Sequence, residues 1–135
     1  MHTSPVLEMQ ILRALFAAFV AFTFVQSGFD KALDYKGNLE YFRGHFSKSP
    51  LASVTGLLLP VVTLMEIAAG ILSAAGFIMI FFGNYSIAFY GLLIAAVDLL
   101  SLLLGQRLAK DYVGAAGVVP YFIAVMLGLS VFVLS

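Results

Sequence analysis

Two acidic residues, Glu66 and Asp98, are the only charged residues between Leu51 and Leu104. A carboxyl group surrounded by apolar side chains can bind a polar head group or exchange a proton. It can also have a purely structural role, as one half of a buried ion pair that fixes how helices pack. Both carboxylates are therefore candidate site residues, and their role depends on the groups that the fold brings to them.

The stretch around Glu66, from Leu51 to Ala75, is apolar at nearly every other position. As a helix with a rise of about 1.5 Å per residue, it is longer than the roughly 30 Å hydrocarbon core of a bilayer. A carboxylate at the bilayer centre costs about 2.5 to 3.5 kcal/mol on insertion scales, and each Leu, Ile or Val returns about 0.3 to 0.6 kcal/mol. We therefore predict a transmembrane helix in which Glu66 faces other helices and not lipid.

The composition is typical of an integral membrane protein. Of the 135 residues, 62% are hydrophobic and 10% are charged, and the mean hydropathy is +1.06, whereas soluble domains average about 45–50% apolar and 25% charged residues. The net charge of zero gives no electrostatic support for nucleic-acid binding. The sequence has no cysteine, which excludes thiolate chemistry, Fe–S clusters and thiolate zinc sites. With only His2 and His45 as imidazole ligands, we predict no metal site and assign no catalytic residue.

The predicted fold is all-α: four transmembrane helices in an antiparallel bundle that forms one domain over residues 1–135. Ser-Pro pairs at Ser4-Pro5 and Ser49-Pro50 are typical helix starts, and Gly76 and Gly83-Asn84 are the turn signals between the second and third helices. The predicted spans are about 5–29, 50–75, 84–104 and 118–134, with a turn at 76–83, a polar connection at 105–117 and Pro120 opening the last span.

The segment from 30 to 49 has mixed charge, and its apolar residues recur with helical spacing. Tyr35, Leu39, Phe42 and Phe46 follow one another at intervals of four, three and four. This pattern predicts a short amphipathic helix over 38–47 that lies in the membrane interface. The alternative is a polar loop whose aromatic side chains cover the end of the bundle.

Lysine and arginine residues are concentrated in the loops at 30–49 and 105–117. These loops hold Lys31, Lys36, Arg43, Lys48, Arg107 and Lys110, whereas the opposite side of the membrane has Arg13. By the positive-inside rule, the two loops are predicted to face the cytoplasm and both termini to face outward.

The predicted depth of each polar residue in the membrane suggests partners for the Glu66 and Asp98 carboxylates. Arg13 and Glu66 are both displaced toward the same side of the membrane, so we predict that they pair. Asp98 is displaced toward the other side, where Lys31 or Lys110 can pair with it. Two polar clusters at different depths are expected. The candidates for ligand binding or proton exchange are Glu66, Arg13, Asp98, Gln26 and Lys31.

Three features of the sequence resemble the DoxX family of small four-helix bacterial membrane proteins, and the resemblance covers nearly the whole chain. The run from Ser27 to Lys31 matches the S-G-x-x-K sequence that closes the family's first helix. The run from Glu66 to Gly70 resembles its E-x-x-x-G signature, and Arg13 occupies the position of its early arginine. The resemblance implies a four-helix bundle in the bacterial cytoplasmic membrane. For the members that gave the family its name, it implies a place in thiosulfate:quinone oxidoreductase complexes.

Two functions follow as hypotheses. The first is an accessory or anchoring subunit of a larger, quinone-linked redox membrane complex, because the sequence has no soluble domain, thiol or metal set that could do chemistry unaided. The second is a self-contained protein that binds a lipid or a quinone through the buried carboxylate of Glu66; a small transporter is a weaker third hypothesis. The expected partners are membrane lipids, other membrane subunits and a second copy of the chain, and nucleic acid is not among them.

Overall fold

The structure, a computed structural model, describes residues 5–134, so His2 and Ser4 lie outside the described part of the chain. Within this range there are five α-helices and a short 3₁₀ turn, Ala52–Val54, and no strand. The helices are α1 (Pro5–Leu33), α2 (Tyr35–His45), α3 (Thr55–Ile80), α4 (Ser86–Leu108) and α5 (Tyr112–Leu134).

Four helical segments are long and apolar enough to cross a membrane. They are Pro5–Leu33, Ala52–Ile80, Ser86–Leu108 and Tyr112–Leu134. Even the shorter ones, at 23 residues, exceed the roughly 20 residues that the hydrocarbon core requires. The prediction of an all-α, multi-pass membrane protein with four spans is confirmed.

The connection between the last two spans is much shorter than predicted. Because α4 continues to Leu108 and α5 begins at Tyr112, most of the segment 105–117 is helical, and its prediction as a polar connection is wrong. Lys110 has a left-handed backbone conformation, with φ at 61°, which reverses the chain. The Asp111 carboxylate accepts a hydrogen bond of 2.9 Å from a backbone N–H in the first turn of α5. A short capped turn is sufficient here, since polar side chains near helix ends can reach water without ending the helix.

Three glycine or proline residues were predicted to mark turns or helix starts; the prediction is wrong for two of them and correct for the third. Gly76, a predicted turn residue, lies inside α3, which ends at Ile80; its missing side chain lets α3 approach the backbone of Ala88 in α4. Pro120 lies inside α5 and not at its start, as neighbouring helices in a membrane protein allow. Gly83 is part of a turn as predicted, with φ at 83° in the region that glycine tolerates best.

The helix α3 contacts both α1 and α4, and α5 packs on α4 and α1. Small residues bring the helices close together: a Cβ atom at Gly70 would lie only 2.7 Å from the backbone nitrogen of Val25 in α1. The apolar core between the helices includes Val20, Phe24, Ala69, Leu92, Ala95, Leu99 and Val125. The bundle is therefore packed tightly enough to fix the relative positions of polar side chains on α1, α3 and α4.

The short helix α2 lies against one end of the bundle. Its first turn is capped by Asp34, whose side chain accepts a hydrogen bond from the backbone N–H of Gly37. Phe42 and the following Phe46 are buried in a cluster with Leu59 of α3. As a result, α2 forms a cover over the region where α1 ends and α3 begins.

Candidate functional site

An ion pair between Lys31 of α1 and Glu66 of α3 lies at the centre of the candidate site. The Lys31 Nζ atom is 3.0 Å from Glu66 Oε2 and donates a second hydrogen bond, 2.9 Å long, to Ser27 Oγ. The Glu66 side chain is 3% exposed and the Lys31 side chain 17%. The ammonium group therefore compensates a carboxylate that is otherwise surrounded by apolar helices.

Asp98 of α4 is the third member of the site. It is fully buried, and neither of its carboxyl oxygens has a hydrogen-bond partner among residues 5–134. It lies close enough to Glu66 and Lys31 to interact with their charges. We call Lys31, Glu66 and Asp98 the buried polar cluster. Because a buried charge without a donor is costly, a proton or an additional hydrogen-bond donor is needed to complete this cluster.

The close packing of α1 on α3 positions the ion pair. Gly28 of α1 packs on Ile67, the residue that follows Glu66, and a Cβ atom at Gly28 would lie 2.6 Å from the Ile67 side chain. Any larger residue at this position would push the two helices apart. The two segments that carry the family resemblance, 27–31 and 66–70, therefore meet at the interface of α1 and α3.

Arg13 does not pair with Glu66, and this prediction is wrong. The Arg13 guanidinium lies over the ring of Tyr85, 4.0 Å from its centroid. Eighteen residues separate Arg13 from Lys31 on α1, which is about 27 Å along the helix axis. The prediction failed because it matched the two helices by their midpoints, whereas the middle of α3 packs against the C-terminal part of α1, with Gly28 on Ile67.

Two further predicted residues lie away from the buried polar cluster. Gln26 is exposed on α1, and its side-chain amide makes no hydrogen bond to another residue in the range 5–134. Lys110 is exposed in the turn between α4 and α5, so it is not the cation beside Asp98. The structure brings together Lys31, Glu66 and Asp98, and it leaves Arg13 and Gln26 elsewhere.

A cavity of about 260 Å³ lies beside the cluster, beneath α2. We call it the α2 cavity. Lys31 forms part of its wall, together with Tyr41 and Phe42 of α2, Val62 of α3 and Ser101 of α4. Binding sites for whole drug-sized ligands measure about 300–1,000 Å³, so this volume suits a head group or a single ring.

The polar groups of the α2 cavity include both donors and acceptors. Gln106 lines it, and the Gln106 Oε1 atom is buried without a hydrogen-bond partner in the described part of the chain. His45 also lines it; its Nε2 atom is 3.4 Å from Asp111 Oδ2, and its ring stacks on Tyr41 with 5.4 Å between the centroids. A ligand with both hydrogen-bond donors and acceptors could therefore bind between the Lys31 ammonium and the Gln106 amide.

Sequence reasoning did not identify Ser101 and Gln106 as site residues. The sequence does contain a pattern that points to this part of the site. Asp98, Ser101 and Gly105 are spaced three and four, so they share one face of a helix. Gln106 was missed because the predicted helix ended at 104, and Ser101, inside that helix, carries no charge to mark it. With α4 continued through Leu108, the polar positions of this face become apparent.

Within residues 5–134, no group of three His, Asp or Glu residues is placed to hold a metal ion. Comparison with protein-family models, with curated proteins and with solved structures finds no match for this chain. The resemblance to the DoxX family therefore stays a prediction, and the function has to be argued from the α2 cavity and the buried polar cluster.

Proposed function

We propose that the chain is a membrane protein that binds the polar head group of a lipid-soluble molecule, a lipid or a quinone, in the α2 cavity. The observation that carries this proposal is the position of Lys31. Its side chain belongs at once to the wall of a mostly apolar cavity and to an ion pair with a buried carboxylate. Concave apolar sites with a few convergent polar groups are typical ligand sites.

The buried polar cluster gives this site its chemistry. Lys31 can donate a hydrogen bond to a carbonyl or hydroxyl oxygen of the head group, and Gln106 Oε1 can accept one from a hydroxyl group. Asp98 has no donor of its own in the structure. A proton held there lies behind the cavity wall, near Lys31, where it can stabilise the cluster or exchange as the ligand binds.

A side chain that fills the α2 cavity tests the proposal. A Cβ atom at Gly105 would lie 3.6 Å from the Phe46 ring, an ordinary contact, so the variant Gly105→Leu should fold while occupying cavity volume. The matched control is Gly117→Leu, because a Cβ atom at Gly117 meets nothing within 4 Å. Each protein is purified in mild detergent from its own membranes, and the extracted lipid-soluble molecules are quantified by mass spectrometry.

We expect one class of small molecule to accompany the wild type and the Gly117→Leu variant at a constant molar ratio. In Gly105→Leu its amount should fall at least about tenfold, the equivalent of 1.4 kcal/mol of binding free energy. Equal amounts in the two variants would exclude the α2 cavity as the binding site.

The arrangement in the membrane is part of the same proposal. Gly28 and Val25 of α1 contact Ile67 and Gly70 of α3 in reversed order, which supports an antiparallel bundle. We place α2 in the membrane interface and the loops at 30–49 and 105–117 on the cytoplasmic side of a bacterial inner membrane. The meeting of segments 27–31 and 66–70 gives the DoxX-like motifs a shared structural role and so supports the resemblance.

An accessory role in a larger complex is the second candidate function, and Gln26 favours it. An exposed side-chain amide on a membrane-spanning helix, without a partner among residues 5–134, is costly in lipid and is better accommodated against another helix. Gentle capture of the chain and mass spectrometry of stoichiometric companions would identify that helix. If Gln26 contacts it, Gln26→Leu should reduce recovery of the companion, while Phe22→Leu, at an exposed position on the same helix, should not.

A further inference from the structure

An apolar groove lies on the outer surface of the bundle between α3 and α4. Its volume is about 440 Å³, and it is lined by Leu64, Met65 and Ala68 of α3 and by Leu93, Ile94 and Val97 of α4. No polar group contributes to its lining. We call it the α3–α4 groove. In a bilayer such a surface is in contact with hydrocarbon chains.

The α3–α4 groove continues the α2 cavity along the line where α3 and α4 meet, which we call the seam. On α3, Leu58 and Val62 line the cavity and Met65 lines the groove, at spacings of four and three. Residues at these spacings lie on one face of a helix. From Leu58 to Ala68 the seam is about 15 Å long.

The same continuity holds on α4. Ser101 lines the cavity, and Val97 and Ile94 line the groove, again at spacings of four and three. Both walls of the cavity therefore extend into the groove. A molecule whose head group occupies the cavity has an apolar path for a chain between the two helices.

The charges around the cavity restrict the head group. Lys31 is already paired with Glu66 and also interacts with Asp98, so one ammonium faces two carboxyl groups. The other basic side chain in the lining, His45, lies 3.4 Å from the Asp111 carboxylate. No surplus positive charge remains to compensate a buried phosphate, which would be costly without one.

We infer that the occupant of the α2 cavity and the α3–α4 groove together is a single-chain lipid with an uncharged, oxygen-bearing head group. This inference rests on the proposed function of the α2 cavity and adds the binding path of the chain. The head group bonds to Lys31 in the cavity, and the chain lies in the groove. The ligand enters sideways from the bilayer, since the groove is open to lipid along its length.

The absence of tryptophan from the sequence allows a direct test with single fluorescent reporters. Leu64→Trp places a reporter in the groove, and Phe22→Trp places a control on α1; the native side chains are 67% and 65% exposed. Each protein is reconstituted into vesicles of phosphatidylcholine with brominated chains, which quench tryptophan on contact. Unbrominated monoolein, which has one chain and an uncharged glycerol head, is then titrated in.

We expect fluorescence of the Leu64→Trp reporter to recover at a mole fraction of monoolein about tenfold lower than that of the control, which corresponds to 1.4 kcal/mol of preference. Unbrominated phosphatidylcholine should restore both reporters equally, by dilution alone. Combining Leu64→Trp with Gly105→Leu should remove the preference for monoolein, because the head group loses its cavity.

Three outcomes would overturn the inference. Equal recovery of the two reporters with monoolein would mean that the groove has no preference for a single chain. Preferential recovery with phosphatidylcholine would replace the single-chain ligand by a two-chain phospholipid. A Leu64→Trp reporter that brominated lipid does not quench would mean that a second copy of the chain or another subunit covers the groove. If the Gly105→Leu variant still loses its co-purified molecule in any of these cases, the function of the α2 cavity stands while the chain path is wrong.

Discussion

Lys31 interacts with two buried carboxyl groups but forms its ion pair with only one of them. It bonds to Glu66 at 3.0 Å, while neither oxygen of Asp98 has a hydrogen-bond partner within residues 5–134. A buried polar network that is only partly satisfied is costly, and such groups are usually retained because they serve binding or proton exchange. The stability of the bundle should therefore respond differently to changes at each of the three side chains.

Replacing Lys31 should destabilise the bundle more than replacing Glu66. Lys31→Met leaves two buried carboxyl groups without a cation, and we expect a loss of about 3 kcal/mol, the low end for breaking a buried pair, since Lys31 retains some exposure. Glu66→Gln leaves Asp98 to compensate Lys31 and should cost about 1 kcal/mol. The free energy of unfolding of each variant is measured by titration with sodium dodecyl sulfate in mixed micelles, with circular dichroism as the readout. Equal losses would mean that Asp98 does not compensate the lysine.

Neutralising Asp98 should separate stability from binding. Asp98→Asn keeps the shape of the side chain and removes a carboxyl group that has no hydrogen-bond partner. We expect the free energy of unfolding to stay within about 1 kcal/mol of wild type, while the co-purified ligand is reduced. A large loss of stability would instead assign Asp98 a structural role in the packing of the helices.

At the scale of helices, the site depends on how closely α1 and α3 approach each other. Gly28 and Gly70 provide this approach, with Cβ positions that would lie 2.6 Å from the Ile67 and Val25 side chains. At this distance the Lys31 side chain reaches Glu66 directly. A wider spacing would leave the two charges apart in an apolar environment, where neither is easily compensated.

A single methyl group at this interface should therefore be destabilising. In Gly70→Ala the new Cβ atom would lie 2.7 Å from a backbone nitrogen, which cannot move without shifting α1. We expect a loss of about 2 kcal/mol, typical of overpacking. The control Gly117→Ala, at an open position inside α5, should instead gain a few tenths to about 1 kcal/mol from helix propensity. Thermal unfolding in detergent compares the two, and an unchanged midpoint for Gly70→Ala would mean that the two helices can separate freely.

At the scale of the whole molecule, the charged residues are distributed unevenly between the two ends of the bundle. Lys31, the basic residues of α2 and the connection that follows it, and the residues of the α4–α5 turn lie at the end that α2 covers. Arg13 lies toward the other end, against Tyr85. This asymmetry favours the end with α2 as the cytoplasmic side.

Labelling of single cysteines tests this orientation without background, because the sequence contains no cysteine. Ser47→Cys lies between α2 and α3, and Asn84→Cys lies in the turn between α3 and α4; both positions are exposed. In intact cells, a membrane-impermeant maleimide should label the Asn84→Cys variant and should reach Ser47→Cys only after the cells are opened. The reversed pattern would mean that the protein has the opposite orientation. Labelling of both cysteines in intact cells would mean that residues 47 and 84 lie on the same side of the membrane, so that α3 does not cross it.

Much of the fold was predictable because a bilayer constrains the sequence strongly. A span needs about 20 apolar residues, and four such stretches are visible in the sequence itself. Helix ends were less predictable. Gly76 and Pro120 are of residue types that commonly end helices, but helices in lipid tolerate both where neighbouring helices pack against them. The polar residues after Leu104 were likewise compatible with one more turn of helix.

What the sequence by itself determined is the class of protein and the short list of buried polar groups, since apolar length and intramembrane charge are local properties. Only the tertiary structure decided which of these polar groups contact one another. Which cation meets Glu66 depends on the register between two helices. Gly28 of α1 packs on Ile67 of α3, which places Glu66 beside the end of α1 that carries Lys31, about 27 Å along the axis from Arg13. The α2 cavity depends on side chains from four helices at once, so no segment of the sequence contains it.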